Sequence, residues 1–155
     1  MAHAEIGKPV PRFSVETTAG TLTDKDLAGH NTVLYFYPRD NTPGCTLEGQ
    51  EFRDLHNKFK KANTEILGIS RDSLKSHEKF CEKQNFPFAL ISDPDETFCN
   101  LFDVIKDKNM YGKKVRGIER STFLIDGKGV VRQEWRKVKA KGHAAEVLDA
   151  VKTLK

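Results

Sequence analysis

The run Thr32-Val33-Leu34-Tyr35-Phe36-Tyr37 is apolar without a break and rich in β-branched and aromatic side chains. A strand of that kind needs cover on both faces, because no alternation sets one side apart for water. It stops at Pro38. Beyond a short polar loop, Leu47, Phe52, Leu55, Phe59 and Ala62 recur mostly at three- and four-residue intervals with charged residues between them, the pattern of an amphipathic helix of some four turns. Glu65-Ile66-Leu67-Gly68-Ile69-Ser70 is then a second buried strand. Strand, helix and strand in this order form a right-handed parallel crossover. The chain is thereby committed to a layered α/β sheet, and the loop after the first strand lies at the carboxyl end, where open sheets place their chemistry.

The remaining punctuation fits one continuous unit over residues 1–155. Arg12 to Glu16 and the turn Ala19-Gly20-Thr21 predict an N-terminal β-hairpin, followed by a helical turn at Asp24 to Leu27. A second helix is expected from about Ser73 to Gln84 with Ser73 as its N-cap. A strand at Phe88 to Ser92 and a short helix around Glu96 to Phe102 follow. Ser121 to Ile125 and Val130 to Trp135 flank Asp126-Gly127-Lys128-Gly129 as a hairpin. The last helix begins near Gly142 and carries Ala145, Val147, Leu148, Val151 and Leu154 on its apolar side. The sum is a mixed sheet with helices on both faces.

Composition excludes several function classes. No apolar run approaches the roughly 20 residues of a membrane span, and Met1-Ala2-His3-Ala4-Glu5 shows no secretory pattern, so a cytoplasmic protein is expected. The net charge of +4 gathers late, at Arg136, Lys137, Lys139 and Lys141. No aromatic platform accompanies that cluster, which reads as a solvated basic face and not as a nucleic-acid site.

The three cysteines, Cys45, Cys81 and Cys99, form no C-x-x-C pair, which argues against a disulfide scaffold or a zinc site. Cys45 differs from the others in its placement. It falls in the first turn of the long helix, where unpaired N–H groups and the positive end of the helix dipole favour a thiolate, the nucleophilic form of the side chain. Cys99, flanked by Phe98, Leu101 and Phe102, is expected to be buried. The five histidines show no metal-ligand spacing, and His56 and His77 are expected on helix surfaces. Trp135 is expected to pack on the sheet or its edge.

Pro38-x-x-x-Thr42-x-x-Cys45 resembles the active-site signature of the peroxiredoxins. Arg120, immediately before a strand, stands where those proteins carry their active-site arginine. Pro43-Gly44-Cys45-Thr46 and the run Gly117 to Asp126 resemble the bacterioferritin comigratory protein, or peroxiredoxin Q, group. The similarity extends from about Gly7 to the C-terminus. It implies a thioredoxin-like fold and reduction of hydrogen peroxide or organic hydroperoxides, with electrons from thioredoxin or a similar thiol reductant. It implies no metal, haem or flavin, and a monomer.

The residue types suit that chemistry. As Cys45 attacks a peroxide oxygen, negative charge leaves sulfur and grows on the departing oxygen, so fixed donors along the path are needed, and Arg120 offers several. The Thr42 hydroxyl can accept from the peroxide and donate toward sulfur. N–H groups near Gly44 and Cys45 can hold the second oxygen, and Pro38 can shield the sulfur from water. Glu48 either pairs with an arginine at the site or simply favours the positive helix end.

The sulfenic acid left on Cys45 must then be captured by a thiol. Some members of the group place a resolving cysteine five residues on, where this chain has Gln50. Others place it in the next helix, a position that Cys81 resembles; ordinary packing beside Phe80 is its alternative reading. A disulfide needs Cα atoms within about 7 Å, so pairing would require local unwinding. Without Cys81 the enzyme would be a one-cysteine peroxidase reduced by an external thiol. A thiol–disulfide oxidoreductase would normally present C-x-x-C, and a chaperone or binding module would be indifferent to Cys45→Ser.

Overall fold

The computed structural model describes residues 3–154; Met1 and Ala2, part of the stretch read for a leader, lie outside it. Seven strands form one mixed sheet in the order β2-β1-β5-β4-β3-β8-β9. Its centre is the crossover expected from sequence. β3 (Asn31–Phe36) runs parallel to β4 (Thr64–Ser70), which runs parallel to β5 (Ala89–Ser92). On the other side of β3, β8 (Ser121–Ile125) runs antiparallel, with Phe36 opposite Ser121. That register sets the start of β8 beside the end of β3.

The expected hairpin of β1 (Ser14–Thr17) and β2 (Gly20–Thr23) continues the sheet beyond β5, and β9 (Val131–Trp135) closes the opposite edge against β8. A single 3-10 turn spans Asp24–Leu27. Helix α1 (Pro43–Lys61) is longer than the periodicity indicates, at 19 residues, because Pro43 at its first turn starts it ahead of the apolar stripe. Helix α2 (Leu74–Gln84) is capped by the Ser73 side chain, which accepts from the N–H of Ser76. Asn85, at φ 54°, ends it in the left-handed region. α3 (Thr97–Leu101) is short, and α4 (His143–Lys152) begins after Gly142.

The sheet separates two apolar clusters. On one face Phe52 and Phe59 of α1, Phe80 of α2 and Val147, Leu148 and Val151 of α4 pack on Val33, Tyr35, Ile66 and Leu90; Cys45 is buried in this cluster, and Cys81 packs at the cluster's margin. On the other face Phe98, Cys99, Phe102 and Val104 cover Leu34, Phe36, Leu67 and Phe123. Cys99 is buried as expected, its backbone N–H held by Asp93 Oδ2 at 2.7 Å. Burial, with the Asp93 carboxylate, pushes its thiol pKa far up.

One element pair has no counterpart in the sequence reading. β6 (Ile105–Met110) and β7 (Lys113–Ile118) form a separate two-stranded ribbon. Its sequence, rich in lysine, lacks the apolar runs that mark the other strands. No helix among the described residues is long and apolar enough to cross a membrane.

Candidate active site

β3 ends at Phe36, and the loop 37–42 leads directly into α1. Pro43 takes the first helical position, so Cys45 is the third residue of the helix, inside the first turn as expected. Among the described residues no side chain caps this helix start. The N–H of Thr46 is the first to close a turn, to the carbonyl of Thr42 at 2.9 Å. The earlier N–H groups, of Gly44 and Cys45, therefore sit at an uncapped helix terminus with partial positive charge.

Cys45 is 2% exposed. Arg120 Nη2 donates to its sulfur at 3.3 Å, while Nη1 of the same guanidinium donates to Glu48 Oε1 at 2.6 Å. The antiparallel pairing of β8 with β3 is what delivers Arg120 to this point, and the N–H of Val138 holds its carbonyl at 3.1 Å. Gly44 makes room for it: a Cβ there would stand 3.2 Å from Arg120 Nη2.

Of the two readings of Glu48, the structure holds the ion pair. The side chain is fully buried, and burial pushes its carboxyl up to about 7 against the lowering effect of Arg120, with Glu51 adding to the rise. Its Oε2 has no hydrogen-bond partner among the described residues. The Thr42 hydroxyl donates to the carbonyl of Arg39 at 2.9 Å, which leaves its lone pairs to accept from an incoming molecule. Pro38 is half-buried at the head of the same loop.

Cys81 is half-buried on the same face of the sheet, with its sulfur 4.0 Å from the carbonyl of Phe88. Burial raises its thiol to about 11, so in the closed structure it is held as the un-ionised form. All three cysteines are free thiols.

The expectation for His77 fails. It is wholly buried, not on the helix surface, and it meets Asp40 of the active-site loop: Nδ1 lies 2.8 Å from Asp40 Oδ2, and Nε2 donates to the carbonyl of Ile91 at 2.9 Å. Ser76 and Tyr37 donate to the same carboxylate at 2.8 and 2.6 Å. The sequence carried a signal for this, since His77 lies three residues from both Leu74 and Phe80 on the stripe that α2 turns to the sheet. His56, by contrast, is half-buried. Asp40, Asp72 and His77 bring one potential ligand atom each within 4.8 Å of one another, but these atoms are already engaged in hydrogen bonds.

Residues 6–134 match the AhpC/TSA family. Peroxiredoxin Bcp of Xanthomonas campestris is 54% identical over 155 residues, covering 98% of this chain and 97% of that one. The chain belongs to the peroxiredoxin family. Within it the similarity is to the Bcp, or Q, group. A cysteine-to-serine variant of Xylella fastidiosa PrxQ has a TM-score of 0.91 at 46% identity, with 98% of each chain covered. The bacterioferritin comigratory protein of X. campestris, solved as trapped intermediate and ligand complexes bearing on its alkyl peroxide reduction, has a TM-score of 0.86 at 55% identity, with 90% of each chain covered. The X. campestris peroxiredoxin Q has also been solved as serine variants at two cysteines thirty-six positions apart, the separation of Cys45 and Cys81 here. These similarities establish a thioredoxin-like peroxiredoxin fold and the activity of a thiol-dependent peroxidase.

Proposed function

We propose that Cys45 is the peroxidatic cysteine, that Cys81 resolves it within the same chain, and that thioredoxin or a similar dithiol restores both. The observation that supports the first part is the guanidinium of Arg120, 3.3 Å from a buried sulfur at an uncapped helix start. The thiolate attacks one oxygen of the peroxide as the O–O bond breaks. The attacked oxygen remains on sulfur as Cys45 sulfenic acid, and the departing hydroxide or alkoxide takes a proton from solvent. Charge moves from a site facing Arg120 toward oxygens that the N–H groups of Gly44 and Cys45 can hold, while the Thr42 hydroxyl orients the peroxide by accepting from its O–H. Hydrogen peroxide and organic hydroperoxides are both substrates in this reading; the alkyl peroxide activity of the Xanthomonas relative supports the second class.

Cys81 then attacks the sulfenic sulfur, the S–O bond breaks, and water leaves with the Cys81 proton. Its high pKa in the closed structure agrees with a thiol that becomes competent only when α2 opens locally. The matching separation of the two substituted cysteines in the Xanthomonas protein supports the pairing. We take the protein to act as a cytoplasmic monomer.

The test is peptide mass mapping of the reduced protein after one equivalent of hydrogen peroxide, with thiols blocked at once. A Cys45–Cys81 link is the expected product. Oxidised Cys45 with Cys81 unmodified would replace this mechanism by the one-cysteine form, and unmodified Cys45 would remove its assignment as the nucleophile. Cys45→Ser abolishes turnover, whereas Cys81→Ser leaves the first oxidation intact and slows thioredoxin-dependent cycling.

A further inference from the structure

The mechanism above leaves unused the buried pair of Asp40 and His77, whose side chains are 1% and 0% exposed. Asp40 stands five residues before Cys45 in the active-site loop, and His77 stands four residues, one helical turn, before Cys81. The contact thus joins the two segments that must unwind, at a point just upstream of each sulfur. Its surroundings are rigid. His77 Nε2 is fixed to Ile91 of β5, Asp40 accepts from Tyr37 at the end of β3, and the Asp40 N–H donates to Asp72 Oδ2 at 2.9 Å. Asp72 is in turn bonded to Ser70 at the end of β4. All three central strands therefore hold the junction.

We propose that Asp40 and His77, with Ser76, form a pin that stays closed while the chain beyond it unwinds, and so act as positioning residues for disulfide formation. The inference rests on the Cys45–Cys81 pairing proposed above. With the pin closed, the two sulfurs hang from a common point on tethers of five and four residues. At about 3.5 Å per extended residue these reach about 17 and 14 Å, ample for the sulfurs to meet. Without it, Asp40 is still held by Asp72 and Tyr37, but the next fixed point upstream of Cys81 is Asp72, bonded to Ser70 and to Ser92. The connecting chain then lengthens from nine residues to fourteen. Effective concentration falls as roughly the −3/2 power of tether length, so the sulfurs meet about twofold less often.

Two measurements test the pin. The first is hydrogen exchange on the wild-type protein, reduced and as the disulfide, resolved at single amides. The Asp40 N–H, whose acceptor is Asp72, and the His77 N–H, which donates to Ser73, stay protected in both forms, while amides of 46–47 and 79–84 lose protection in the disulfide. Loss of protection at Asp40 and His77 would overturn the pin whatever the variants do. The second is single-turnover quench mapping of a Ser76→Ala, His77→Ala double variant, which removes both α2 side chains that reach Asp40. Cys45 oxidation proceeds at the wild-type rate, disulfide formation slows about twofold, and the sulfinic fraction at a fixed excess of peroxide rises correspondingly. Disulfide formation as fast as, or faster than, in wild type would show a contact that is neutral or that restrains the reaction, and overturns the proposal alone. Failure of the wild-type protein to form the Cys45–Cys81 bond would overturn the pairing itself and the pin with it.

Discussion

Glu48→Gln separates what this carboxylate does for stability from what it does for the site. The folded protein holds the Glu48 proton up to about pH 7, against an ordinary value of 4.5 that applies when the chain is unfolded. The folded state thus binds the proton more tightly. Its contribution to stability is full below about pH 4.5 and is lost as pH rises to about 7, a total near 3 kcal/mol at about 1.4 kcal/mol per unit. Glutamine keeps an oxygen for Arg120 and removes the charge. Urea or thermal melts of the reduced proteins at pH 5 and pH 8 measure the difference. At pH 5 the two are within about 1 kcal/mol; at pH 8 the variant is the more stable by about 3 kcal/mol, or roughly 6–12 °C for a chain of this size. Peroxidase activity at pH 8 moves the other way, by about tenfold, because a neutral amide holds the guanidinium less firmly over Cys45. A stability difference that is the same at both pH values, or a variant less stable at pH 8, would refute this account of Glu48.

The geometry yields three further expectations. Arg120→Lys retains charge but cannot meet Cys45 and Glu48 together, and kcat/KM for peroxide falls by about 100-fold or more while the fold persists by circular dichroism. Gly44→Ala puts a Cβ 3.2 Å from Arg120 Nη2, displacing that nitrogen by a few tenths of an ångström; stopped-flow oxidation of Cys45 slows several-fold with little change in melting temperature. Gly49→Ala does the reverse, since its Cβ would stand 2.4 Å from the Phe86 ring, and urea denaturation shows a net loss of about 1–3 kcal/mol despite the better helix propensity of alanine.

Much of the layered architecture was legible because its strands announce themselves. β3 and β4 are unbroken apolar runs, and α1 and α4 carry clear stripes. The β6–β7 ribbon escaped notice because it lies outside the main sheet, where no buried face demands apolar residues of Lys106, Asp107, Lys108, Lys113 and Lys114. At the site, Cys45 could be read from its place between a strand and a helix start, and Arg120 from the family resemblance; the pairing of β8 with β3 that brings them together came only with the structure. The pairing of Asp40 with His77 could not be read, although the place of His77 on the α2 stripe hints at its burial. A polar residue on an apolar stripe is usually a solvated edge, and only the tertiary approach of loop and helix turns it into half of a buried pair.

The thiol of Cys99 also gives the molecule an internal clock. It faces the cluster opposite to the one that Cys45 and Cys81 share, and it is fully buried with its ionisation suppressed. Once the other two sulfurs are joined, a thiol-directed alkylating reagent has a single thiol to find, reached when the far side of the sheet parts. The rate of Cys99 modification in oxidised protein therefore counts global openings, while the opening and closing around the reactive cysteines passes unrecorded.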